Sequence, residues 1–172
     1  PKLKTSVFGI EGEGTRFLYV FDRSESMQGY GGAPLRAAKS ELISSLQTLG
    51  AAHQFQIIFY NDTPLPFGGL GDRGPRLFKG DEQSKQAAMR FVRDIAAAGG
   101  TQHVDALRMA LAMGPDVIFF LTDADSSPSG RDIEDLHGRA IRAGATLHTI
   151  QFGSTASASG DKWLQRLAEG TA

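Results

Sequence analysis

The chain has 172 residues, 41% of them hydrophobic and 22% charged, and its 18 Lys plus Arg against 19 Asp plus Glu leave a formal net charge of −1. That balance argues against the basic surplus that a nucleic-acid or anionic-membrane footprint needs, and with no Cys there are no disulfides, thiolate nucleophiles or Cys-based zinc or iron–sulfur sites. Apolar runs such as Val117–Leu121 are far shorter than the roughly twenty residues that span a bilayer, so no membrane contact by this segment is expected. A chain this long buries roughly 70% of its unfolded surface, enough for a single domain over residues 1–172. The start at Pro1, with no apolar leader core, is expected of a segment of a longer or processed protein.

In chain order, Thr5–Ile10 and the segment from Arg16 flank Glu11-Gly12-Glu13-Gly14, which predicts an added N-terminal edge hairpin turning at those glycines. Four runs are too uniformly apolar to be half-exposed strands: Phe17–Phe21, Phe55–Tyr60, Val117–Leu121 and the looser Thr146–Phe152. They read as strands covered on both faces. Between them, Leu35, Ala38, Leu42, Leu46 and Leu49 form one helical stripe closed by Gly50. Ala87, Phe91, Ile95 and Ala98 predict a second helix before Gly99-Gly100, and Val104, Leu107 and Leu111 a third before Gly114-Pro115. Ile133, Leu136, Ala140 and Ile141 mark a fourth, ending at Gly144, and Trp163, Leu164 and Leu167 a fifth, before Gly170. Pro64–Gly80 reads as a long loop with one short strand near Arg76–Lys79, and Ser154–Gly160 as a loop. The alternation predicts an α/β fold: a doubly wound, mostly parallel central sheet with helices on both faces.

Ligands of such sheets bind beyond the carboxyl ends of the strands, where strand order reverses. The first buried strand is followed by Asp22-Arg23-Ser24-Glu25-Ser26-Met27, the third by Thr122-Asp123-Ala124-Asp125, and Gly99-Gly100-Thr101 leads into the third helix. These clusters converge on one rim. Asp22, Ser24, Ser26, Thr101 and Asp123 offer two carboxylates and three hydroxyls, hard oxygen donors that favour Mg²⁺, with Mn²⁺ or Ca²⁺ as substitutes, over zinc or copper. In an extended D-x-S-x-S turn, alternating side chains project to one side, so both Ser oxygens face the ion with Asp22 behind them. The plainer alternative is a strand-to-helix turn in which Asp and Ser cap backbone N–H groups. Asp105 and Asp125 read as capping or solvent-facing residues, and the His at 53, 103, 137 and 148 lack paired zinc spacing and read as structural. His103 stands out, two residues past Thr101.

Over nearly its whole length the sequence resembles the von Willebrand factor type A (vWA) domain family, of bacterial type. The resemblance rests on Tyr19-Val20-Phe21-Asp22-Arg23-Ser24-Glu25-Ser26-Met27, on Gly99-Gly100-Thr101 followed by Ala106-Leu107, and on Phe120-Leu121-Thr122-Asp123. It implies a Rossmann-like vWA fold with a metal-ion-dependent adhesion site: Ser24, Ser26 and Thr101 as hydroxyl ligands of Mg²⁺, and Asp22 and Asp123 acting directly or through water. It also implies a monomeric, non-enzymatic adhesion module that engages a Glu or Asp carboxylate of a protein partner, with no nucleic acid. The family usually has Gly where this chain has Glu25 and Ala124. Two alternatives stand beside this reading: a Mg²⁺-dependent phosphoryl-transfer enzyme, and a scaffold that has lost its metal. An enzyme of that kind would carry a carboxylate where Ser24 stands and a rim Lys, which the sequence lacks. Sequence leaves the compartment open, with an envelope-anchored or extracytoplasmic setting in a longer parent protein favoured over a cytoplasmic one.

Overall fold

The computed structural model describes residues 1–124, 126–152 and 158–171, of which 158–161 by backbone alone. Its elements are β1 (Leu3–Val7), β2 (Ile10–Gly14), β3 (Arg16–Asp22), a 3₁₀ turn (Glu25–Gln28), α1 (Gly29–Gln47), β4 (Gln54–Tyr60), β5 (Pro64–Pro66), β6 (Phe78–Lys79), α2 (Glu82–Asp94), α3 (His103–Ala112), β7 (Val117–Thr122), α4 (Gly130–Ala143), β8 (Thr146–Gln151) and α5 (Ala158–Ala168). Strands β4, β3, β7 and β8 lie side by side in that order, all parallel, and the short β5 and β6 pair antiparallel with β4. This is the predicted doubly wound α/β architecture. Among the described residues, no helix is long and apolar enough to cross a membrane.

The apolar runs are unbroken because each strand feeds two cores. Phe17, Tyr19 and Phe21 of β3 pack on Ala38, Leu42 and Leu46 of α1 and on Ala88, Met89 and Val92 of α2. The alternate residues Leu18 and Val20 join Ile58 and Phe120, under Leu107 of α3, Leu136 of α4 and Leu164 and Leu167 of α5. All of these except Met89 and Leu164 are fully buried.

Several local expectations are corrected. The hairpin turns at Phe8-Gly9, both left-handed (φ 49° and 76°), as the two-residue turn of a twisted hairpin requires. Glu11–Gly14 is therefore strand β2, and β1–β2 forms a separate two-stranded sheet, not an edge of the main one. A Cβ at Gly12 would meet Val117 Cγ1 at 2.6 Å and Phe119 Cζ at 2.9 Å, so its glycine serves close packing of the hairpin on β7. The second helix ends at Asp94, since Ile95 is already extended (ψ 132°) and Ala96–Ala98 are engaged by the loop after β3. Its buried stripe is Lys85, Ala88, Met89 and Val92, with the Lys85 Nζ donating to the Leu49 carbonyl at 2.7 Å. In α4, Ile141 is 46% exposed and lies off the buried stripe. Pro64–Gly80 holds two short strands where one was expected. Of the Ser154–Gly160 loop, residues 154–157 lie outside the described residues, as does Asp125, and from Ala158 the chain is helical.

Candidate metal centre

From β3 the chain passes through α1 to β4 on one side, while β7 lies on the other side of β3. The carboxyl ends of β3 and β7 therefore flank the point where strand order reverses, which opens a crevice there. Asp22 is the last residue of β3, and Asp123 follows the last residue of β7.

Asp22 is fully buried. Its Oδ1 accepts the Ser24 N–H at 2.7 Å and its Oδ2 accepts the Thr122 hydroxyl at 2.8 Å. Burial pushes its carboxyl up to about 6; hydrogen bonds from Ser24 and Thr122 hold it down, and the negative charge of Asp123 adds to the rise. A buried carboxylate beside a second carboxylate is a place where a cation would relieve both desolvation and repulsion.

Ser24 is buried and Ser26 exposed, with their Oγ atoms 2.9 Å apart and one hydroxyl donating to the other. The route differs from the expected extended turn. Ser24 is extended (φ −62°, ψ 163°), but Ser26 sits in the 3₁₀ turn that begins at Glu25. The Ser24 side chain makes no capping hydrogen bond to that turn, so the plain capping alternative accounts for the Asp22–Ser24 bond but not for the paired hydroxyls.

Thr101 is half-buried at the end of a loop pinned from both sides. The Ala98 N–H donates to the Arg23 carbonyl and the Glu25 N–H to the Gly99 carbonyl, both at 2.9 Å. From the end of β4, the Asn61 side-chain amide donates to the Ala98 carbonyl at 2.9 Å, the Asp62 carboxylate accepts the Gly100 N–H at 3.0 Å, and the Gln102 N–H donates to the Asn61 carbonyl at 2.8 Å. This clamp explains the two glycines. A Cβ at Gly99, where φ is +78°, would sit 2.8 Å from Asp62 Oδ2, and one at Gly100 would sit 2.6 Å from Asp62 Oδ1. Thus Asp22, Ser24, Ser26, Thr101 and Asp123 all belong to segments gathered at one rim. Sequence reasoning missed Asn61, Asp62 and Thr122, although the signal was present: each stands at or just past a strand end. Asp105, by contrast, is exposed in the first turn of α3.

Glu25 and Ala124 have different fates. Glu25 is exposed and opens the 3₁₀ turn without a left-handed φ. Ala124 is left-handed at φ 58°, with its N–H donating to the Thr122 hydroxyl oxygen at 3.0 Å. The loop thus keeps a conformation that favours glycine, although this chain carries Ala there. His103 is structural, as its spacing implied: buried, with Nδ1 2.7 Å from the Tyr60 hydroxyl and Nε2 3.0 Å from the Ser126 carbonyl. Burial lowers its pKa, against the Ser126 bond and the charge of Asp123.

The donor set suits a hard divalent cation: oxygen only, two carboxylates and three hydroxyls. Among the described residues no group of three or more His, Cys, Asp or Glu is arranged to hold a metal.

No protein-family model and no curated protein sequence matches the chain. Among solved structures it is similar to a von Willebrand factor type A protein from Catenulispora acidiphila, at 23% identity and a TM-score of 0.77, over 91% of this chain and 37% of that one. It is also similar to a pilus adhesin from Lactobacillus rhamnosus GG, at 15% identity and a TM-score of 0.66, over 90% of this chain and 27% of that one. The chain therefore spans well under half the length of either protein. These likenesses establish the vWA fold.

Proposed function

We propose that this domain is a Mg²⁺-dependent adhesion module: Ser24, Ser26 and Thr101 hold the ion with Asp22 and Asp123, and the rim engages a Glu or Asp carboxylate of a protein partner. The observation that carries the reading is the Ser24–Ser26 hydroxyl pair, 2.9 Å apart beside the buried Asp22 carboxylate. When bound, the ion supplies a positive charge with room for an incoming carboxylate, because only two ligands are anionic. The chain's own residues do the rest. The Ser24 N–H and Thr122 hydroxyl fix both Asp22 oxygens, and Asn61 and Asp62 fix the loop that carries Thr101. The likeness to a pilus adhesin supports adhesion over catalysis, as does the hydroxyl of Ser24 where an acid–base carboxylate would be needed for phosphoryl transfer.

The test is a thermal melt in chelator, Mg²⁺, Mn²⁺ and Ca²⁺, alongside Ser24→Ala and Asp123→Ala. An ion at about a hundred times its Kd adds about 2.7 kcal/mol to the folded state, on the order of 5–10 °C in Tm for a domain of this size. A rise with Mg²⁺ or Mn²⁺ that both variants lose supports the reading. No rise at millimolar metal favours the scaffold alternative.

A further inference from the structure

Tyr30 is 83% exposed, and it is the only exposed aromatic side chain among the described residues. It lies one turn of chain past Ser26, whose carbonyl accepts the Gly29 N–H. Its backbone is left-handed (φ 53°, ψ 43°), as are those of Gly31 and Gly32 after it (φ 68° and 82°). Gly occupies positions 29, 31 and 32, yet the strained position between them carries a bulky residue. For Tyr the left-handed region is costly, and such outliers persist where surrounding structure enforces them, often at functional sites. Here the enforcement is visible. The Arg36 guanidinium donates to the Gly31 carbonyl, Gly32 is buried, and Pro34 stands in the first regular turn of α1, where Pro is well tolerated. The turn is built, and it holds the ring in solvent just past Ser26, to whose carbonyl the preceding Gly29 N–H is bonded.

We propose that Tyr30 is a partner-recognition residue: an aromatic anchor, held ready on a left-handed turn, that packs against the partner segment whose carboxylate the metal site receives. This rests on the adhesion reading and adds to it the character of the partner. Tyr offers a large amphipathic surface at small entropic cost and is enriched at interface hot spots, and a preset turn removes part of the ordering cost of binding. The charges nearby indicate what lies beside the partner's acid. Glu25 and Asp62 are exposed carboxylates on the flanking segments, while the guanidinium groups of Arg23 and Arg36 are directed to the carbonyls of Ala96 and Gly31. A Lys or Arg close to the partner's Glu or Asp would meet these carboxylates and the face of the Tyr30 ring.

The probe is a peptide selected on the Mg²⁺-loaded domain from a library of short random sequences with one fixed Glu. Its affinity is then measured by titration with and without chelator for the parent, Tyr30→Phe, Tyr30→Ala and Tyr30→Gly. The expected result is chelator-sensitive binding that falls about tenfold or more in the Ala and Gly variants, is retained by Phe, and favours peptides with a Lys or Arg near the Glu. Tyr30→Gly also relieves the left-handed strain, so its Tm should rise by about 2–4 °C while its binding falls; a merely structural Tyr30 would not separate the two. Chelator-sensitive binding that is equal in the parent and Tyr30→Ala overturns this inference and leaves the metal site standing. A selection yielding only chelator-insensitive peptides, or none, overturns the metal reading and this inference with it.

Discussion

Replacing Asp22 by Asn should stabilise the domain in chelator while abolishing its response to Mg²⁺. Asp22 is fully buried and its carboxyl is pushed from 3.8 to about 6. A carboxyl whose folded pKa is raised contributes stability that is complete below the unfolded value and is lost as pH rises through the folded one. A rise of this size costs the ionised domain about 3 kcal/mol at pH 7 and about half that at pH 5. Asn removes the charge and can still accept the Ser24 N–H. Its amide, however, faces the Thr122 hydroxyl, which already accepts the Ala124 N–H and loses its own acceptor, at a cost of about 1 kcal/mol. The net gain at pH 7 is about 2 kcal/mol, or roughly 4–8 °C in Tm. The assay is a pair of melts in EDTA, parent against Asp22→Asn, from pH 7 down to pH 4. The other titrating groups cancel in the difference, which should shrink as pH falls. An Asn variant less stable than the parent at pH 7, or a difference that does not change with pH, would refute the reasoning.

Three further outcomes follow from the same geometry. Ala124→Gly, which relieves a left-handed alanine at φ 58°, should raise stability by about 1 kcal/mol in thermal or urea unfolding. Gly100→Ala, whose Cβ would sit 2.6 Å from Asp62 Oδ1, should displace the Thr101 loop and weaken the Mg²⁺-induced rise in Tm at least as much as Asp62→Ala, which removes only the clamp. Ser45→Ala should cost about 1–3 kcal/mol in urea unfolding, because the Ser45 hydroxyl lies 2.7 Å from both the Thr5 and the Tyr19 hydroxyls in a buried network that ties β1 to α1 and β3.

The architecture was legible because strands buried on both faces leave uniform apolar runs, and the helices between them leave stripes. Where tertiary contacts override local pattern, the sequence misled. Ala98 continues the stripe of α2, but its N–H is drawn to the Arg23 carbonyl, so the helix stops at Asp94. Glycines at 12 and 14 look like a turn but allow β2 to lie against β7, while the turn itself falls at Phe8-Gly9, whose first residue is of a type that carries no signal for a left-handed backbone. At the rim, Asp22, Ser24, Ser26, Thr101 and Asp123 were readable from strand ends and spacing. The residues that hold them are quieter: Asp62 lies just past a strand distant in sequence, and Thr122, in the cluster after Val117–Leu121, draws no role until its hydroxyl is seen to donate to Asp22.

The central claim, that this rim holds a divalent cation, is tested most directly by titrating the isotope-labelled domain with Mn²⁺ and following the loss of backbone amide signals by NMR. The account predicts that broadening begins at residues 22–26, 99–102 and 122–124, is reversed by excess Mg²⁺, and disappears in the Ser24→Ala variant. Broadening centred elsewhere, for example among Glu11, Glu13 and Asp116 at the opposite end of the sheet, or none at the rim at millimolar Mn²⁺, would contradict it.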